Sequence, residues 1–156
     1  MEQHKELKVS AIKNGTVLDH IPSGMLFKVI NILGLQNCGN QMTFGTNLES
    51  KMLGHKAIIK IADKFFKDEE INKIALVAPQ AKLNIIKDYE VVEKRILTVP
   101  DEIIGIVKCQ NPKCVTNHQP VSTRFKTIHK GSKLMLDCHF CEKLSDGDNL
   151  TILVLE

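Results

Sequence analysis

Cys109-x4-Cys114 and Cys138-x2-Cys141 set four thiols in two close pairs with a modest loop between them, the arrangement a single tetrahedral metal ion needs. Each pair fits a tight turn that aims two thiolates at one ion. The surrounding segment is too short and too polar to bury a large core, so ligation would supply folding energy that apolar burial cannot. A closed four-sulfur shell leaves no place for water or substrate, which makes the expected ion a structural Zn2+, one per chain. His118, His129 and His139 lie nearby in sequence, but four sulfurs complete the shell without them. Cys38, in Gln36-Asn37-Cys38-Gly39-Asn40, stands apart in a turn-like segment and reads as a bystander.

The elements that must position these groups belong to a chain of 156 residues, 43% hydrophobic and 25% charged, enough for one compact domain or two small ones. A net charge of +3 is too mild to mark an electrostatic nucleic-acid binder. No N-terminal run reads as a secretory signal and no stretch approaches the roughly 20 apolar residues of a membrane span, so the expected compartment is the cytoplasm, without a membrane partner. There thiols stay reduced, which favours metal over disulfides. Lys126, His129, Lys130 and Lys133 make the cysteine-containing part mildly basic. A zinc ribbon on nucleic acid is therefore the alternative reading, weakened because Phe125 and Phe140 are its only aromatic rings and offer no stacking platform.

Common catalytic signatures are absent from the sequence: no Gly-x-Ser-x-Gly, no Gly-x4-Gly-Lys, no Gly-x-Gly-x-x-Gly and no His-Glu-x-x-His. Asp19-His20 is an adjacent pair, and adjacent strand residues point to opposite faces, which argues against a dyad. Lys60 interrupts Ile58-Ile59-x-Ile61, where alternation places it opposite Ile59 and Ile61 on a face open to a ligand or to solvent.

Periodicity predicts a strand begun by Leu7, Val9, Ala11 and Ile12 and interrupted at Asn14-Gly15, with Thr16 to Ile21 continuing as a turn or short extended piece. Pro22 suits the first turn of a helix carried by Met25, Leu26, Val29, Ile30 and Leu33 and closed by Gly34. Strands follow at 42–46 and 57–61. A second helix is capped at Asp68, buries Ile71, Ile74, Ala75 and Val77, and ends at Pro79; further strands lie at 81–86 and 89–92. The order is the ferredoxin-like βαββαβ pattern of an α+β fold, both helices on one face of an antiparallel sheet. Val99-Pro100 and Asp101-Glu102 read as a linker, dividing the chain into 1–99 and a small, mainly-β zinc-binding domain over 100–156 that opens with a strand at 103–107.

Over essentially its whole length the chain resembles the regulatory chain of aspartate carbamoyltransferase. The resemblance is carried by Lys13-Asn-Gly-Thr-Val-Leu-Asp-His-Ile-Pro22, Ala78-Pro-Gln-Ala81, Asn84-x4-Tyr89-Glu-Val-Val92 with Lys94, and the cysteine frame ending in Cys141-Glu-Lys143. It implies a noncatalytic subunit of pyrimidine biosynthesis with an N-terminal allosteric domain for nucleoside triphosphates, CTP and ATP, with UTP a further candidate. It also implies a regulatory homodimer and a zinc domain that docks on the catalytic chain. Carried over by position, the nucleotide pocket comprises Val9, Ala11, Ile12, Val17, Asp19, His20, Lys60, Asn84, Ile86, Tyr89, Val91 and Lys94, and Cys109, Cys114, Cys138 and Cys141 hold the metal. In that pocket strand backbones near Ala11, Ile12, Ile86 and Tyr89 read a base edge, Asp19 accepts from ribose, and His20, Lys60, Asn84 and Lys94 surround the phosphates. Asn111 and Glu142 become candidates for the interface with the catalytic chain. Ser10 departs from the acidic residue of familiar members.

Overall fold

The computed structural model describes residues 11–153. Val9 and Ser10, and most of the strand expected at 7–12, lie outside the described residues.

Eight residues, Gly15–Pro22 (β1), form the central strand of a five-stranded antiparallel sheet with Met42–Ser50 (β2), Gly54–Ala62 (β3), Lys82–Lys87 (β4) and Glu90–Ile96 (β5), in the order β2-β3-β1-β4-β5. The segment read as a turn or short piece is thus the strand that holds the sheet together. Helix α1, Leu26–Ile32, follows β1, and α2, Asp68–Asn72, follows β3. The first four strands and two helices have the ferredoxin-like order; β5 adds a hairpin to its edge.

Local chemistry explains the helix ends. Gly34 takes φ 65°, the left-handed value that glycine tolerates, and its N–H reaches the Asn31 carbonyl at 3.1 Å. Ahead of α2 the Lys67 N–H donates to the Glu70 side chain at 3.3 Å, and Asp68, Glu69 and Glu70 put negative charge at the first turn, where the helix dipole favours it. Pro22 closes β1, and a 3-10 turn over Ser23–Met25 makes the transition into α1.

One sheet face carries Leu18, Ile21, Ile59, Ile61, Leu83 and Ile85 against Leu26, Val29, Ile71 and Ile74 of the helical segments. Among the described residues no helix packs on the opposite face, the one that the alternation at Lys60 pointed to.

The second sheet is built from Glu102–Ile104 (β6), Arg124–Lys130 (β7), Lys133–Cys138 (β8) and Leu144–Asp146 (β9), antiparallel in that order. β6 is shorter than the strand expected at 103–107, because Gly105 turns the chain at φ 72°. Phe125, Leu136 and Ile103 form the second core with Cys109, Cys114 and Cys138. Leu76, which ends the 3-10 turn after α2, is buried in that second core, and Val77, Val99, Ile106 and Ile152 pack on both cores. Lys28 of α1 adds a polar tie, its ammonium donating to the Leu150 carbonyl at 3.3 Å. No helix among the described residues is long and apolar enough to cross a membrane.

Candidate metal centre and open sheet face

Two turns bring the four cysteines together. In the first, the Asn111 side chain accepts from the Lys113 N–H at 3.1 Å and its carbonyl accepts from the Cys114 N–H at 3.0 Å. The Asn117 amide donates to the carbonyls of Cys109 at 3.0 Å and Asn111 at 2.8 Å, tying the start of the loop to its end. In the second, the Glu142 N–H donates to the Cys138 carbonyl at 2.9 Å and Glu142 takes φ 61°, reversing the chain just past Cys141.

The Sγ atoms of Cys109, Cys114, Cys138 and Cys141 all lie within 4.8 Å of one another, with Cys109–Cys141 and Cys114–Cys138 at 3.8 Å. Four thiolates each about 2.3 Å from a central ion form a tetrahedron with edges of about 3.8 Å, so the set fits one tetrahedral ion. Burial pushes the Cys109 thiol up to about 12 and raises Cys138 as well, a cost that ligation would offset. At Cys141 burial also acts upward, but hydrogen bonds from the Asn111 side chain and the Lys143 N–H outweigh it and bring the thiol down to about 7. Three of the four cysteines are buried and Cys141 is half-buried. His118 turns away to the Pro112 carbonyl at 2.7 Å, and Cys38 sits elsewhere, its sulfur 3.3 Å from the Asn40 side chain.

On the face of the first sheet opposite the helices, strand register lines up one residue from each strand. Thr43 pairs with Lys60, Lys60 with Val17, Val17 with Asn84, and Asn84 with Lys94. Ile86 and Val91 pair with each other one row away on the same face. Ala11, Ile12 and Tyr89 line a cavity of about 280 Å3 at one end, together with Thr43 and Ala62. Tyr89 lies in the β4–β5 turn rather than in a strand, Asp88 and Tyr89 taking φ 52° and 67° as a tight hairpin requires, with the Tyr89 N–H on the Lys13 carbonyl at 2.9 Å.

Burial lowers the pKa of Lys60 from the ordinary lysine value, and the nearby Asp19 charge opposes that only in part. Asp19 itself is held by Lys56 at 2.9 Å. Lys56 has the parity of Lys60 along β3, so alternation contained the signal for it. His20 breaks the expected alternation: φ is 61° at a register irregularity in β1, which brings Nδ1 to 3.6 Å from the Asp19 carboxylate. That Nδ1 is buried without a hydrogen-bond partner among the described residues.

A family model described as aspartate carbamoyltransferase regulatory chain, allosteric domain, matches residues 7–98. Another, for the metal binding domain of the same chain, matches residues 101–151. Among curated relatives, the aspartate carbamoyltransferase regulatory chain of Bacteroides fragilis is 55% identical over 152 residues, 97% of this chain and 99% of the relative. Those of Bacteroides thetaiotaomicron, 56% identical over 97% of this chain and 99% of the relative, and of Thermococcus sibiricus, 51% identical over 95% and 97%, are similar throughout.

Proposed function

The chain belongs to the aspartate carbamoyltransferase regulatory chain family, and from that premise we propose that it is the effector-sensing subunit of the enzyme, binding nucleoside triphosphates on the open face of its first sheet. It is a regulatory, noncatalytic chain whose partner is a catalytic chain. CTP and ATP are the effectors, with UTP a third candidate. Residues 1–99 form the allosteric unit, which pairs as a homodimer, and 100–156 form the unit that docks on the catalytic chain in the cytoplasm. The ion held by Cys109, Cys114, Cys138 and Cys141 is zinc, because four sulfurs this close surround a single ion in the tetrahedral geometry zinc accepts. When bound, it fixes the docking turns.

The cross-strand row carries the reading of the first sheet: Lys60 and Lys94 present ammonium groups on the same face as Asn84, the donor set that a polyphosphate recruits. Asp19 would accept from ribose hydroxyls, and the cavity at Ala11, Ile12 and Tyr89 would take a base, its polar lining of Asn14, Gln41 and Thr43 reading the base edge. A zinc-ribbon nucleic-acid binder is not favoured.

The test is reconstitution with a catalytic chain. Lys60→Ala removes a charge-assisted contact worth about 1.5–3 kcal/mol, so CTP and ATP should act only at concentrations on the order of ten- to a hundredfold higher, while assembly by size-exclusion chromatography is unchanged. Nucleotide responses identical to those of the unsubstituted complex would remove the pocket from this face.

A further inference from the structure

The two cysteine pairs are held by different means. Cys138 ends β8 and pairs with Phe125 across the ladder, and its turn closes on backbone bonds, the Cys138 N–H on the Lys143 carbonyl at 3.1 Å and the Glu142 N–H on the Cys138 carbonyl at 2.9 Å. Cys109 and Cys114 lie outside every strand of the second sheet, in the stretch between β6 and β7. There the half-buried Asn117 places both donors of its amide on the loop, one on the Cys109 carbonyl at 3.0 Å and one on the Asn111 carbonyl at 2.8 Å. Both acceptors are carbonyl oxygens, so only the NH2 group can face them and the amide has one orientation. Its backbone N–H donates to the Cys114 carbonyl at 3.0 Å. One residue thus holds the backbone at the first cysteine, in the middle of the loop and at the second cysteine. His118, on the Pro112 carbonyl at 2.7 Å, and Gln110, on the Asp146 and Asn149 carbonyls at 3.3 and 3.0 Å, anchor the loop without bonding the backbone of either cysteine.

We propose that Asn117 is a positioning residue that preforms the Cys109–Cys114 loop for the metal, standing in for the strand ladder this pair lacks, so that its side chain sets how long these two sulfurs stay on the ion. The inference rests on the zinc reading above. Without the amide, the Cys109 and Asn111 carbonyls lose the donor they share and the loop regains backbone freedom, which ligation must then remove at each binding event. The four sulfurs themselves are untouched. Cys109, Cys114 and Cys138 are at most 2% exposed whereas Cys141 is half-buried, so in the unsubstituted chain Cys141 is the sulfur a thiol reagent reaches first. Removing the Asn117 amide moves the weak point to the other pair.

The experiment loads the full chain with zinc, follows transfer to a chromogenic chelator in the presence of N-ethylmaleimide, and reads by mass spectrometry the order in which the four cysteines are alkylated. Outer contacts that orient ligands typically change metal affinity by 10- to 100-fold, so Asn117→Ala should release zinc on the order of 10- to 100-fold faster than the unsubstituted chain, with Cys109 and Cys114 alkylated ahead of Cys138 and Cys141. Gln119→Ala, at an exposed neighbour whose side chain makes none of these bonds, should match the unsubstituted chain in both rate and order. Should Asn117→Ala fail to fold, Asn117→Ser, whose hydroxyl cannot reach both carbonyls, decides. Faster release in the unsubstituted order marks a domain loosened as a whole and overturns the positioning role, as does release within twofold of the unsubstituted rate. An unsubstituted chain that takes up no zinc overturns the zinc reading and this inference with it.

Discussion

Lys60 is a cation on a sheet face, and burial works against its charge. A phosphate placed opposite would work the other way, raising the pKa toward and beyond the ordinary value. Between the lowered value of the free chain and the higher value of the complex, the complex holds more protons, so nucleotide binding should take up protons there. Affinity should fall as pH rises through that alkaline window. Calorimetric titration of CTP in two buffers of different ionisation enthalpy measures the uptake, and Lys60→Ala should abolish it; equal proton uptake with and without the lysine would detach the charge from the phosphates. Lys60 was legible in the sequence because it breaks an apolar run with period-two spacing. Thr43 was not: a threonine in a strand fits either face.

At the scale of elements, the strand that reads in sequence as a turn or short extended piece is the instructive one. Thr16, Val17 and Leu18 are all buried, so β1 shows no alternation to read, and Asn14-Gly15 ahead of it carries the signature of a turn. Gly15 instead begins the strand at φ 140°, where an added Cβ would overlap the Ile61 carbonyl oxygen and crowd the Asp63 nitrogen at 3.0 Å. Gly15→Ala should therefore destabilise the chain by about 2–3 kcal/mol, read as a lower midpoint in urea unfolding. Gly24, with open space at its Cβ position, is the control. The flanking elements were readable because their apolar residues have one period each: Leu26, Val29 and Ile30 at helical spacing, Ala57, Ile59 and Ile61 at two. The cysteine turns were readable for a different reason, since four sulfurs on one ion leave little freedom in spacing.

At the scale of the whole molecule, an effector on one sheet can bias a reaction on another polypeptide only if the two sheets share an element with differing free energy in the two states of the assembly. Leu76 links the two sheets: it belongs in sequence to the helical layer of the first sheet and in space to the core that contains three of the four cysteines. Val77, Val99, Ile106 and Ile152 contact both cores, so the pieces move against each other only by repacking this seam. Leu76→Ala leaves the open sheet face and the sulfurs in place, while truncating a core leucine costs about 2–5 kcal/mol where the site cannot collapse. CTP binding to the isolated regulatory chain should stay within about twofold, and assembly with the catalytic chain should persist at low temperature. The change in catalytic activity per bound nucleotide, a coupling typically of about 1–3 kcal/mol, should shrink. Parallel calorimetry on the chain and activity titrations on the complex separate the two quantities. A full nucleotide response in Leu76→Ala would move the coupling path to another contact, with the Lys28 tie to the Leu150 carbonyl next in line.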